Sequence, residues 1–123
     1  AHLIEDYDYI WGFAAATAEE AIHLREAGIT KPILILGIVF DEIFRNLSVM
    51  RSVLQCANMR RQETFRRSGS AEKNCHIHIA LDTGMTRIGF ADAQENVEEI
   101  KKISELPNLE IEGMFTHCRA IPM

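Results

Sequence analysis

No apolar run in this chain approaches the roughly 20 residues that carry a helix across a bilayer; the longest, around Pro32 to Phe40, is only strand-length. A helical membrane span is therefore excluded. With 7 Gly and 3 Pro, the sequence lacks the bias of a collagen-like or mucin-like chain, and its 47% apolar fraction is too high for a wholly disordered one. Cysteine is also scarce. Cys56, Cys75 and Cys118 are odd in number and show neither CxxC nor CxxH spacing, so neither a disulfide framework nor a zinc site is expected. A reducing, cytoplasmic setting fits that usage. The chain opens Ala1-His2-Leu3, with no initiator Met, basic n-region or apolar h-region, so no signal peptide is read and a processed chain or a fragment is expected.

What is present is the composition of an ordinary globular protein, one compact domain at most. A chain of 123 residues buries roughly two thirds of the surface its unfolded form exposes. It is too short for a complete eight-unit (β/α) barrel, which takes about 250 residues.

Apolar runs alternate with periodic segments. Tyr9 to Ala15 is a strand-like run, and Thr17 then opens a helical pattern as a natural N-cap, with Glu20 completing a capping box. Ala18, Ala21, Ile22 and Leu24 lie on or beside one face of that helix, and Gly28 ends it. Ile33 to Gly37 has no polar alternation, as in a parallel strand buried on both faces. Asp41 to Leu47 reads as helix. Cys75 to Leu81 is the next strand. From Ala93 onward Val97, Ile100, Ile103 and Leu106 recur at helical spacing until Pro107, and Leu109 to His117 gives a last strand. This order predicts a parallel α/β fold of about five strands, a partial (β/α) barrel of TIM type.

Residues 45–74 depart from the pattern. Seven basic residues face two acidic ones there, a local +5 inside a chain whose net charge is -5. Leu47, Met50, Val53, Leu54 and Ala57 suggest a helical stripe, whereas Arg60 to Ser70 holds one large apolar residue, Phe65. Loose structure is expected. A cationic stretch can bind nucleic acid, but the aromatics that would stack on bases are few here, so a solvated segment is the preferred reading and no nucleic-acid partner is expected.

Two strand ends carry the chemistry. Asp82-Thr83-Gly84-Met85-Thr86-Arg87 follows a parallel strand directly, at the end where α/β proteins place ligand-binding groups. There Gly84 permits a tight turn, Asp82 and Thr83 can bond nearby backbone, and Arg87 offers a fork of donors to an anionic oxygen. Thr116-His117 ends the neighbouring unit and brings an imidazole to the same rim, where it can stack on a heteroaromatic ring or donate one hydrogen bond to it. Adjacent strand ends converge, so Arg87 and His117 are expected to face one pocket.

The string HIHIALDTGMTRIGF, followed by IEGMFTHCRA, resembles the alanine racemase family, and TAEEAIHLREAGITKPILILG is similar to that family's second and third barrel units. The likeness spans roughly residues 13–40 and 75–119. It implies a pyridoxal-phosphate enzyme whose N-terminal barrel holds the cofactor, and whose site is completed by a β-domain from the other subunit of a homodimer. The implied reaction interconverts L- and D-alanine for cell-wall precursor supply, in the cytoplasm, with alanine as the small-molecule substrate. By the same resemblance, Arg87 donates to the cofactor's phenolic oxygen and His117 packs against its pyridine ring.

Other family features lie outside this chain: the Schiff-base lysine and a nearby tyrosine, the groups that hold the phosphate and the pyridine nitrogen, and the second catalytic base. Lys31, Lys73, Lys101 and Lys102 are placed too poorly to substitute, so no catalytic residue and no metal ligand is assigned, and the isolated chain is expected to be inactive. Ala80 stands where many members place a lysine that braces the arginine. Residues 45–74 and 119–123 depart from the family pattern, as a reading-frame slip would produce. A non-catalytic α/β module that binds a phosphorylated ligand or a partner is the alternative; a decarboxylase or another amino-acid racemase of the wider fold is a weaker one.

Overall fold

A computed structural model describes residues 1–37, 39, 52–56, 75–107 and 109–119, with 52–56 described by backbone alone. The chain divides into two compact units, Ala1–Gln55 and Cys56–Met123.

The first unit begins with one helical turn, α1 (His2–Glu5), followed by strand β1 (Phe13–Ala15), helix α2 (Ala18–Glu26), β2 (Ile33–Ile35) and β3 (Ser52–Cys56). The capping box forms as the spacing predicts: Glu20 N–H donates to Thr17 Oγ1 at 3.3 Å, and Glu20 Oε2 accepts from Ala16 N–H at 2.8 Å. At the other end Gly28 N–H donates to Arg25 O and Ile29 N–H to Leu24 O, which satisfies the last carbonyls of α2. β1 and β2 pair in parallel, Phe13 opposite Ile33 and Ala15 opposite Ile35. Ala18 and Ala21 of α2 are buried with Ala15, Ile29, Ile33 and Ile35. The two isoleucines are inaccessible to solvent, and such burial is worth about 2 kcal/mol for each side chain. Leu34, expected to be buried, is only half so.

Two expectations for residues 41–57 meet different ends. The helix over 41–47 lies outside the described residues. The helical stripe is corrected where it overlaps β3: Ser52, Val53 and Leu54 pair in parallel with Ile33, Leu34 and Ile35. Two adjacent apolar residues, Val53 and Leu54, carry no period of their own, and the pairing with β2 decides for the strand. Residues 57–74, the bulk of the basic segment, lie outside the described residues.

In the second unit β4 (Cys75–Leu81), helix α3 (Gln94–Ser104) and β5 (Leu109–Thr116) form a β-α-β unit with β4 and β5 parallel. Cys75, Ile77 and Ile79 form a buried face of β4, and Ile103 of α3, which is fully buried, and Phe90 are buried in the same unit. Val97, on the same predicted stripe, is exposed. The β4–β5 pairing is interrupted once. Ile77 is opposite Ile111, but His78 is opposite Gly113, so that Glu112 is an extra residue in β5. No helix among the described residues is long and apolar enough to cross a membrane.

Candidate functional site

The segment after β4 is a closed loop. Phe90 N–H donates to Ala80 O and Asp82 N–H to Phe90 O, at 2.8 and 2.9 Å, so the chain leaves β4 at Asp82 and returns to it at Phe90. Gly89 makes the return possible. Its φ is +111°, and a Cβ there would lie 2.9 Å from Ala80 O and from Asp82 N. Inside the loop, Asp82 Oδ1 accepts from Thr86 N–H at 2.9 Å and Gly84 N–H at 3.0 Å. These donors, Thr86 first, hold the Asp82 carboxyl below the ordinary carboxylate value. They also hold Thr86 at φ +55°, a left-handed conformation that a β-branched residue rarely adopts. Arg87 follows at once and is exposed. The loop is tied to β5 by Thr83 Oγ1 and Thr116 Oγ1, 2.7 Å apart, one residue before His117.

Arg87 and His117 line one cleft, together with Ala80, Leu81, Asp82, Met85, Ile88 and Phe115. The two sequence-derived site residues are thus brought together, at the C-terminal ends of neighbouring parallel strands. Among the described residues none forms a hydrogen bond or ion pair with the Arg87 guanidinium. The cleft admits only about 10 Å³ of solvent, room for a single water. Ala80, at the cleft floor, is 2% exposed; its methyl group brings no charge to Arg87.

The described lysines lie elsewhere. Lys31 precedes β2, and its Nζ donates to Tyr7 O at 2.7 Å and to Ile10 O at 2.5 Å. Lys101 and Lys102 are exposed in the last turn of α3; Lys73 is outside the described residues. Among the described residues no three His, Cys, Asp or Glu could hold a metal.

Three site features escaped the sequence reading: the hydroxyl pair, the close approach of Gly89 and the extra residue Glu112. Only the last left a signal, a glycine inside a strand pattern at Gly113.

A family model described as the alanine racemase N-terminal domain matches residues 3–121. The alanine racemase of Methanococcus maripaludis is 42% identical over 109 residues, which cover 85% of this chain and 28% of that protein. Among solved structures, the alanine racemase of Clostridium difficile 630 in complex with cycloserine superposes with a TM-score of 0.84 at 34% identity, over 88% of this chain and 30% of that one. A histidine racemase from Leuconostoc mesenteroides gives 0.76 at 25% identity, over 88% and 29%. The chain spans less than a third of each of these relatives. It belongs to the alanine racemase family, a pyridoxal-phosphate-dependent barrel family, as a fragment of the N-terminal domain.

Proposed function

We propose that residues 1–123, the basic segment 45–74 included, are part of a cofactor-binding (β/α) barrel domain, and that the parent protein interconverts L- and D-alanine. The observation that carries this reading is the meeting of Arg87 and His117 in one cleft at the ends of two parallel strands. Pyridoxal phosphate, when bound, supplies the electron withdrawal that acidifies the α-carbon of an amino acid. The residues present suit one edge of that cofactor: Arg87 donates to its anionic ring oxygen, while His117 and Phe115 offer it ring faces.

The family reading puts the covalent anchor and both proton-transfer bases in other parts of the protein, in keeping with a cleft whose described lining includes no lysine. The chain alone is inactive. Alanine is favoured over histidine as substrate by the higher identity to relatives named for it. A homodimer, cytoplasmic location and supply of D-alanine to the cell wall follow from the family reading.

Grafting residues 75–119 into the aligned stretch of the Clostridium difficile alanine racemase tests the assignment. The graft is expected to retain racemisation, and Arg87→Ala within it to lose about 10- to 100-fold in kcat/KM, the worth of one charge-assisted hydrogen bond. An active graft that is indifferent to Arg87→Ala would refute the role of the guanidinium.

A further inference from the structure

The two strands that carry the site do not stay in step. In parallel strands, residues directly opposite each other point to the same face of the sheet. His76 is opposite Glu110, and 3.7 Å separate His76 Nδ1 from Glu110 Oε2. At the next position on that face, His78 Nε2–H donates to Glu112 Oε2 at 3.3 Å, yet the Cα partner of His78 is Gly113. Two residues of β5 therefore oppose one of β4. Beyond this point the parity is reversed: Ala80 is opposite Phe115 and Leu81 opposite Thr116. Bulges are uncommon in parallel pairs, and a single extra residue moves every later side chain to the other face.

The consequence for the cleft is direct. Its lining takes Ala80 and Asp82 from the even positions of the β4 side, with Leu81 between them at the strand's end, and takes only the odd positions Phe115 and His117 from the β5 side. In uninterrupted register, Met114 and Thr116 would share the face of Ala80, and Phe115 and His117 would point away. The bulge is held from two sides. Glu112 is gripped by His78, whose side chain is 14% exposed. Gly113 lies flat against the same imidazole, where a Cβ would come within 3.2 Å of Cε1 and 3.3 Å of Nε2.

We infer that the Glu112–Gly113 bulge, clamped by His78, is the device that turns Phe115 and His117 toward Arg87, which makes His78 and Glu112 positioning residues for the imidazole half of the site. This deepens the cofactor reading and rests on it for its functional meaning. The turn that carries Arg87 closes on β4 through Asp82, Gly89 and Phe90 without the clamp, and meets β5 only at its Thr83 end, through the hydroxyl of Thr116.

That independence makes the inference testable on the full 123-residue chain by NMR. The probe is 4-deoxypyridoxine 5′-phosphate, the cofactor without its aldehyde and so unable to bond covalently to lysines. In the unaltered chain, where Ala80 and Phe115 are cross-strand partners that line one cleft, a contact signal between the Ala80 methyl and the Phe115 ring is expected, and the probe is expected to shift both the Arg87 Nε and the His117 ring signals. Glu112→Ala and Gly113→Ala are expected to abolish the Ala80–Phe115 contact and the His117 response, to keep the Arg87 response, and to weaken binding about fivefold, the worth of one ring contact. Glu112→Gln, which still accepts from His78, is expected to behave as the unaltered chain.

Loss of both responses together in the variants, or survival of the His117 response, would overturn the inference. If Gly113→Ala fails to fold, Glu112→Ala against Glu112→Gln carries the test. Should the unaltered chain respond at neither residue, the cofactor reading fails. The Ala80–Phe115 contact, which needs no probe, then decides the bulge by itself.

Discussion

Thr83 and Thr116 bring their hydroxyls to 2.7 Å and so tie the Arg87 loop to the strand that ends at His117. Each sits one residue from a cleft-lining residue, Thr83 after Asp82 and Thr116 before His117. The bond spans the two halves of the site with side chains alone.

Thr83→Val and Thr116→Val keep the shape and remove the bond. Each single variant is expected to lose about 0.5–1 kcal/mol, the lower part of the usual range for a hydrogen bond because both residues are exposed. Since the bond can be lost only once, the double variant should be no less stable than the worse single one. Thermal melting of the four proteins checks this; fully additive losses would show that the two hydroxyls act separately.

Asp82 gives the loop a pH limit. Its carboxyl is held below the ordinary value of 3.8 by Thr86 and Gly84 N–H groups. A depressed folded-state value means that the stabilisation is complete above the unfolded value and is lost as pH falls through the folded one. The Thr86 and Gly84 amides are therefore expected to resist hydrogen exchange near neutrality and to open below about pH 4. Asp82→Ala, which removes the acceptor, should open them at every pH.

Glu5 plays a comparable part in the first unit. Its Oε1 accepts from Thr30 N–H at 2.6 Å, Thr30 Oγ1–H at 3.1 Å and Lys31 N–H at 3.3 Å, which straps α1 to the turn before β2. The Thr30 amide is the main cause of its lowered titration. By the same sign argument, the strap holds above the ordinary value of 4.5 and is lost in more acidic solution. Glu5→Ala should free residues 1–10, seen as faster cleavage by a non-specific protease within that stretch while cleavage within 11–35 is unchanged.

The two cysteines whose side chains are described, Cys75 and Cys118, should separate cleanly. Burial pushes the Cys75 thiol up to about 12, while Cys118 is exposed. At pH 8 roughly one Cys75 in ten thousand is then thiolate, so iodoacetamide is expected to label Cys118 first and Cys75 only on unfolding. Peptide mapping by mass spectrometry reads the order, and equal rates would show that β4 is not buried in solution.

Much of the architecture was legible because burial imposes it. Ile33 and Ile35, Ile77 and Ile79, and Ile103 recur at strand and helix periods and become the largest fully buried side chains. Local chemistry was legible too, in the Thr17–Glu20 box and the Gly28 ending. The failures share a cause in partners distant along the chain. β3 is short enough to fit either period, and β2 decides it. α1 is four residues long, and its Glu5 bonds residues about 25 positions away. The bulge depends on a histidine 34 residues from Glu112, which no window around Gly113 includes. Arg87 and His117 were found because both stand directly after a parallel strand; what aims them lies in cross-strand contacts.

The most direct measurement is an NMR titration of the 123-residue chain with 4-deoxypyridoxine 5′-phosphate, following the side-chain signals of Arg87 and His117. One charge-assisted hydrogen bond and one ring contact predict a Kd of roughly 1–30 mM, with both signals moving along one binding curve. Arg87→Ala should abolish the binding, and His117→Ala weaken it about fivefold. Saturable binding that moves neither signal, or moves only one of the two in the unaltered chain, would contradict the claim that guanidinium and imidazole grip the same ring.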